Sequence, residues 1–297
     1  MAKSTAAQKG RQLPVKQGRE VANNDAPDFM RGERGAGTEN IDAADMEMPR
    51  IKLVQGIDQE LIATHDGLSA GDFFHTLAEA NLGPEVDFVP LHISKRVVLW
   101  APRPPIDQGG ILARADDAVH WQPANREFEV KIDKKGTKVK WKTAKTVAES
   151  RLLEWGTYDP SDPDSQPAAT LCHVFVVALP EHPQLSPVLL MLQRSGVKVA
   201  QKLLGKINII GGRAPIYGQR YKMTSFLAHS AAGDFNNYAF AADGFVKDED
   251  EYNSYKALHE QFKRTGIKIK DLETADEQGV PAEREAPTDK RTGKSKY

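Results

Sequence analysis

The run Phe88–Trp100 (FVPLHISKRVVLW) constrains the fold more than any other segment. β-Branched and aromatic side chains fill it, and these favour a pleated strand over a helix. A Pro-rich turn at Pro102, Pro104 and Pro105 ends it. Two later runs, Thr170–Leu179 and Pro187–Leu192, are apolar without alternation, which predicts strands buried on both faces. Shorter strands are expected at Ile111–Arg114, Arg126–Ile132 and Lys138–Lys142, the last two joined as a hairpin through Lys134-Lys135-Gly136-Thr137. After a turn-rich spacer, Tyr158–Pro167, and the two apolar strands, the period changes. Ser195–Ile207 reads as a helix, followed by strands at Ile216–Leu227 and Phe235–Val246 and an acidic helix over Asp248–Arg264. The expected class is mainly β (α+β): an OB-like barrel with one helix between strands, a C-terminal acidic helix and disordered termini. Other small barrels share that element order.

A chain of 297 residues with 40% hydrophobic and 27% charged content predicts one large or two small domains. Residues 1–48 and 266–297 are poor in large apolar side chains, so a polar arm and a tail are expected to flank an ordered domain over 49–265. No run of about 18 uncharged apolar residues is present, and the first residues lack an apolar core with a cleavage site. A cytoplasmic protein with no membrane association is expected. Cys172 is the only cysteine, so one chain can form neither an internal disulfide nor a multi-thiolate metal site.

The net charge of −1 conceals a strong asymmetry. Phe88–Thr146 carries twelve Lys/Arg against six Asp/Glu, and Leu190–Lys222 carries seven against none. Between Asp243 and Glu260 the sign reverses, with six acids against two lysines. Such blocks predict a basic working surface and a separate acidic element.

On a helical wheel Arg194, Lys198, Lys202 and Lys206 fall within about 120°, opposite Val197, Ala200, Leu203, Leu204 and Ile207. A cationic rod of this kind meets several phosphates of a nucleic-acid strand. Downstream, Arg213, Tyr217, Arg220 and Tyr221 interleave cations with rings, as single-strand binders do when cations track the backbone and rings stack on bases. The meander adds Lys95, Arg96, Trp100, Arg114 and Trp121 to the candidate nucleic-acid-binding set. Each of these rings has a competing assignment as a core anchor, and the basic helix face as an ordinary solvated surface. In the acidic helix, Asp248–Glu251 either caps the N-terminus or serves as an element that competes with nucleic acid or recruits partners.

Catalytic patterns are weaker. Glu129-Val130-Lys131, with Asp116 and Asp117 upstream, has the spacing of a metal-dependent nuclease, but an alternating strand face produces it by chance. Asp159, Asp162 and Asp164 lack the glycine and distal glutamate of a calcium loop. The eight histidines show no zinc spacing, and Gly211-Gly212-Arg213 lacks the lysine and hydroxyl of a P-loop. No catalytic residue, metal or cofactor is therefore expected.

Pro49–Gln55, Ala70-Gly71-Asp72-Phe73, Val98-Leu99-Trp100, Leu192-Gln193-Arg194-Ser195 and Pro215-Ile216-Tyr217-Gly218 together resemble phage-encoded single-stranded DNA-binding proteins of the OB-fold kind, over about residues 48 to 265. The resemblance implies a non-catalytic protein that coats exposed DNA in phage replication, recombination or repair. Members often end in an acidic tail that recruits replication partners. Here the last eight residues hold four basic and no acidic side chains, so either the helix near Asp248 has taken that role or the function is absent. A metal-dependent nuclease or recombination enzyme and a viral structural or assembly protein are the competing expectations.

Overall fold

The computed structural model describes residues 48–265 except 210, 213, 231 and 232. The tail expected over 266–297, and the arm apart from Met48, lie outside the described residues. Eleven strands and four helices follow in order: β1 (Arg50–Leu53), α1 (Gln59–Thr64), β2 (Phe73–His75), β3 (Ala80–Gly83), β4 (Glu85–Trp100), β5 (Ile111–Ala115), β6 (Glu127–Lys131), β7 (Lys138–Lys142), α2 (Val147–Ser150), β8 (Ala169–Ala178), β9 (Val188–Gln193), α3 (Gly196–Ile209), β10 (Gln219–Ser230), β11 (Gly233–Phe245) and α4 (Glu249–Thr265).

β4 organises the molecule because it is long enough to serve three neighbours. One edge pairs antiparallel with β8 from Val89 to Leu99. The other edge is divided, with Glu85–Phe88 on β10 and Val97–Trp100 on β5. Pro90, which has no N–H to give, sits where the β4–β8 register shifts between Pro90 and His92. The sheet runs β11-β10-β4-β8-β9-β1-β2-β3, with β5 branching from β4 and with β6 and β7 forming a separate ribbon. β1 joins β9 in parallel, the pair Ile51↔Leu190 lying in its register.

This sheet curls until β11 approaches β1, giving a mainly β, barrel-like body. Side chains close the seam where a strand ladder would otherwise run. The Gln55 amide donates to the Asn236 carbonyl at 3.0 Å and accepts the Asn236 N–H at 2.8 Å, so one side chain copies a backbone pair. Asn236 Nδ2 donates to the Val54 carbonyl at 3.2 Å, the Tyr238 N–H is held by Asn237 Oδ1, and Lys206 Nζ donates to the Phe240 carbonyl. An open edge is thereby satisfied residue by residue. Gln55→Ala is expected to lower stability by about 1 to 3 kcal/mol, since it strands both Asn236 backbone groups; urea denaturation with an unchanged m-value checks this.

Among the described residues four apolar cores divide the work, the smallest being Val54, Leu68 and Phe74 with Leu61 and Ile62 of α1 against them. The barrel interior holds Phe73, Phe88, Phe175, Tyr221 and Phe240, closed by Ala200, Leu203 and Ile207 of α3. A second core lies under the insert between β4 and β8, where Val97, Leu99, Trp121, Val130 and Trp141 meet. α2 in that insert starts on a capping box, Thr146 with Glu149. The third core is the outer face of the sheet, Leu91, Cys172, Val174, Val176 and Leu189, covered by Tyr255 and Phe262 of α4, with Met48 against its edge. Asp248 Oδ1 accepts the Glu251 N–H at 2.8 Å, so it caps α4.

Candidate nucleic-acid interface

A cleft of about 720 Å³ opens between the insert and the start of α3. Trp100, Arg103, Trp155, Tyr158, Arg194 and Lys198 are among its lining, and no Asp or Glu is. Trp155 is a large ring left 36% exposed. Tyr158 is fixed from behind: its ring lies 5.4 Å from that of Trp141, its carbonyl accepts Trp141 Nε1–H at 3.2 Å, and its hydroxyl donates to the Ile132 carbonyl at 3.3 Å.

Arg194 sits at the corner between β9 and α3 with a φ of +53°, a left-handed conformation unusual for a non-glycine residue. This turn carries its side chain into the cleft and out of the helical row assigned to it from the wheel. Burial, and then the neighbouring Arg103, push its guanidinium down to about 10, while Tyr158 acts in the opposite sense. It is charged at neutral pH, and a charge held in such a desolvated place interacts more strongly with an incoming anion than one in open water. Burial raises the Tyr158 phenol above its ordinary value, so at neutral pH it is an uncharged ring.

Arg194 also lines a second cleft, of about 780 Å³, along the seam between β1, β9 and β11. Arg50, Lys52, Gln55, Gln193 and Tyr238 face it, but so do Asp58, Glu79 and Asp234. Lys52 pairs with Asp58 at 2.9 Å and His229 with Asp234 at 2.6 Å. This second cleft is charge-balanced, and the first is basic.

A family model described as Pam3 phage gp34-like protein matches residues 17–268, most of the chain. The chain belongs to that family. No curated protein and no solved structure matches it. This is a phage protein, and among its described residues no helix is long and apolar enough to cross a membrane.

The thirteen candidate residues of the phage protein are only partly brought together. Arg194 and Lys198 share the first cleft, and Lys202 is exposed one turn along α3. Trp100 reaches the cleft wall but is only 6% exposed. Trp121 and Tyr221, at 3% and 1% exposure, are core anchors; Trp121 Nε1 donates to Ser150 Oγ at 3.0 Å and the Tyr221 hydroxyl to Gln219 Oε1 at 2.6 Å. Neither can stack on a base, because both rings are already packed. Arg96 is likewise buried opposite Cys172, and Lys95 is exposed opposite His173. Lys206 is engaged at the barrel seam, Arg114 lies 3.2 Å from Asp116 and Arg220 lies 3.6 Å from Asp87. Tyr217 packs against the tilted rings of Tyr252 and His259 of α4, at 5.3 and 5.0 Å. Arg213 lies outside the described residues.

The acidic helix covers an aliphatic face, away from the basic cleft. Of the nuclease-like set, Glu129 pairs with Lys138 at 2.6 Å, and the His120 N–H, then the His120 ring and the Val119 N–H, hold the Asp117 carboxyl down to about 2. Among the described residues no three His, Cys, Asp or Glu side chains are grouped to hold a metal. Asp159 and Asp162 cap turn amides at Ser161 and Asp164. Sequence reading missed Trp155 and Tyr158 as site residues, since both sit in or beside a loop without periodicity. The available signal was a tryptophan followed by Gly156, just ahead of the turn-rich spacer.

Proposed function

We propose that this phage protein binds single-stranded DNA in the cleft between the insert and α3, without metal or nucleotide, and serves phage replication, recombination or repair in the host cytoplasm. The observation that carries the proposal is the meeting, in one concave surface, of Arg103, Arg194 and Lys198 with the rings of Trp155 and Tyr158. Cations over the backbone and rings on the bases form the sequence-tolerant arrangement by which single strands are held. Strand order supports the same reading. β4-β8-β9, then α3, then the β10–β11 hairpin with β10 returning to β4, follows an OB-fold in which β1 is inserted where the barrel would close. On that reading the insert is an elaborated first loop, and such loops are where OB-folds take oligonucleotides.

Three cations against a single strand imply a log affinity that falls with log salt at a slope of about −2. Addition of oligo-dT is expected to quench tryptophan emission chiefly through Trp155, the most exposed of the indoles. A blunt duplex, whose bases are stacked inside, is expected to leave that emission unchanged. A duplex that quenches it as strongly as oligo-dT overturns the reading.

A further inference from the structure

We propose that the β6–β7 ribbon is a second, separate DNA contact, one that grips the phosphate backbone of duplex DNA flanking the single strand. The inference rests on the single-strand reading for the tail and adds that the preferred ligand is a single-strand/duplex junction.

From Arg126 to Lys145 the chain carries eight cations against three carboxylates. Alternation divides the ribbon cleanly. Val130 and Trp141 are buried in the insert core, with Phe128 and Val139 packed against it, so the other face, Glu127, Glu129 and Lys131 opposite Lys142, Lys140 and Lys138, is turned to solvent. Two carboxylates are used on that face, Glu129 with Lys138 at 2.6 Å and Glu127 with Lys140 at 3.0 Å. Asp107 accepts the Lys131 N–H at 2.7 Å at one end. Exposed Lys134, Lys135 and Lys142 continue the same field, with Arg126 and Lys145 beside it.

One pairing is informative. Lys131 lies directly across from Lys138. Like charges at opposed positions of an antiparallel pair destabilise it. Glu129 answers Lys138 and Glu127 answers Lys140, but cations still outnumber carboxylates eight to three over Arg126–Lys145, and that excess, which includes Lys131, Lys134, Lys135 and Lys142, points to countercharge supplied from outside. The ribbon offers no exposed ring on this face, so it has no means of stacking on unpaired bases, and only backbone charge is left to recognise. Two five-residue strands span about 17 Å, and over that distance duplex DNA presents about ten phosphate charges. The width of a two-stranded ribbon also suits the major groove. Trp141, on the buried face of this ribbon, holds the Tyr158 that lines the single-strand cleft, so the two surfaces are the front and back of one small core.

The test uses the full chain with three probes at matched salt: oligo-dT, a blunt duplex, and the same duplex carrying an oligo-dT tail. The tailed duplex is expected to bind on the order of tenfold or more tighter than oligo-dT, with a salt slope steeper by about 3 to 4 units for four added phosphate contacts. The variant Lys131→Ala/Lys134→Ala/Lys135→Ala/Lys142→Ala, which leaves both ion pairs in place, is expected to abolish that gain while oligo-dT affinity and Trp155 quenching stay at wild-type values. Glu127→Gln/Glu129→Gln, which releases Lys140 and Lys138, is expected to increase the gain. No gain in the wild type, or a gain retained by the quadruple variant, overturns the proposal. Ribbon-dependent binding to anionic vesicles without any gain on the tailed duplex overturns it in favour of a membrane surface. If oligo-dT fails to bind while the blunt duplex binds through the ribbon, the ribbon stands as a duplex contact and the single-strand reading alone falls.

Discussion

Trp155→Ala/Lys198→Glu is expected to weaken oligo-dT binding on the order of 100-fold at about 0.1 M salt while leaving the thermal transition close to wild type. Loss of a stacking ring removes about 1 to 3 kcal/mol per base. Reversal of a lysine replaces one phosphate attraction by a repulsion, which lowers the salt slope by about one unit or more. Neither side chain belongs to an apolar core: Trp155 is the most exposed indole, and Lys198 is half-buried in the cleft lining, apart from the Ala200, Leu203 and Ile207 with which α3 packs on the barrel. The loss is therefore expected to be equal for all base sequences, since no base edge is read. Fluorescence anisotropy with labelled oligomers of several compositions measures it. Full affinity in the double variant would remove the cleft from the mechanism, and a loss confined to one sequence would replace backbone tracking with base recognition.

The strands of the centre were legible because burial imposes a pattern on their residues. Phe88–Trp100, Thr170–Leu179 and Pro187–Leu192 each carry enough β-branched and apolar side chains to declare a strand, and β4, β8 and β9 follow within a few residues. The greasy face of α3 was legible for the same reason: Ala200, Leu203 and Ile207 recur at helical spacing, and all three are buried. β1, β2 and β3 are only three to four residues long, too short for a period to emerge, so nothing local in the sequence forecasts them.

The site was less legible, because charge and aromaticity say what a side chain is and leave open which neighbour reaches it first. Lys206 has the spacing of a phosphate-facing cation, yet the Phe240 carbonyl at an open strand edge lies within its reach. Tyr221 and Trp121 have the composition of stacking rings and the positions of core anchors. Arg220 and Lys222 stand in a stretch without acids, but β10 pairs with the start of β4 and brings Asp87 to both and Glu85 to Lys222. These are long-range pairings, and a window of local sequence contains only one partner of each. Conversely, the cleft draws Arg103, Trp155 and Arg194 from three separate stretches, of which only the last stands out in the sequence.

Trp141→Ala is expected to cost about 3 to 5 kcal/mol, and the damage is expected to stay within the insert. Trp141 is 1% exposed, lies at a tilt against the Tyr158 ring and donates to its carbonyl, so the substitution leaves both a cavity and an unanswered acceptor. Phe175→Ala, at a residue fully buried in the barrel interior, is expected to cost a similar amount but to weaken the whole body. The difference follows from the partition of the apolar side chains. The insert core and the barrel interior share no residue, and β4 and β8 run through both. Hydrogen exchange separates the two cases: in Trp141→Ala, protection is expected to fall across β5, β6 and β7 while β9, β10 and α3 retain theirs. Oligo-dT affinity is expected to fall with it, although Trp141 touches no ligand, because Tyr158 loses the support that holds it in the cleft wall. Equal loss of protection in both regions would mean that insert and barrel fold as one unit, and the cleft would then have to be understood as part of the barrel itself.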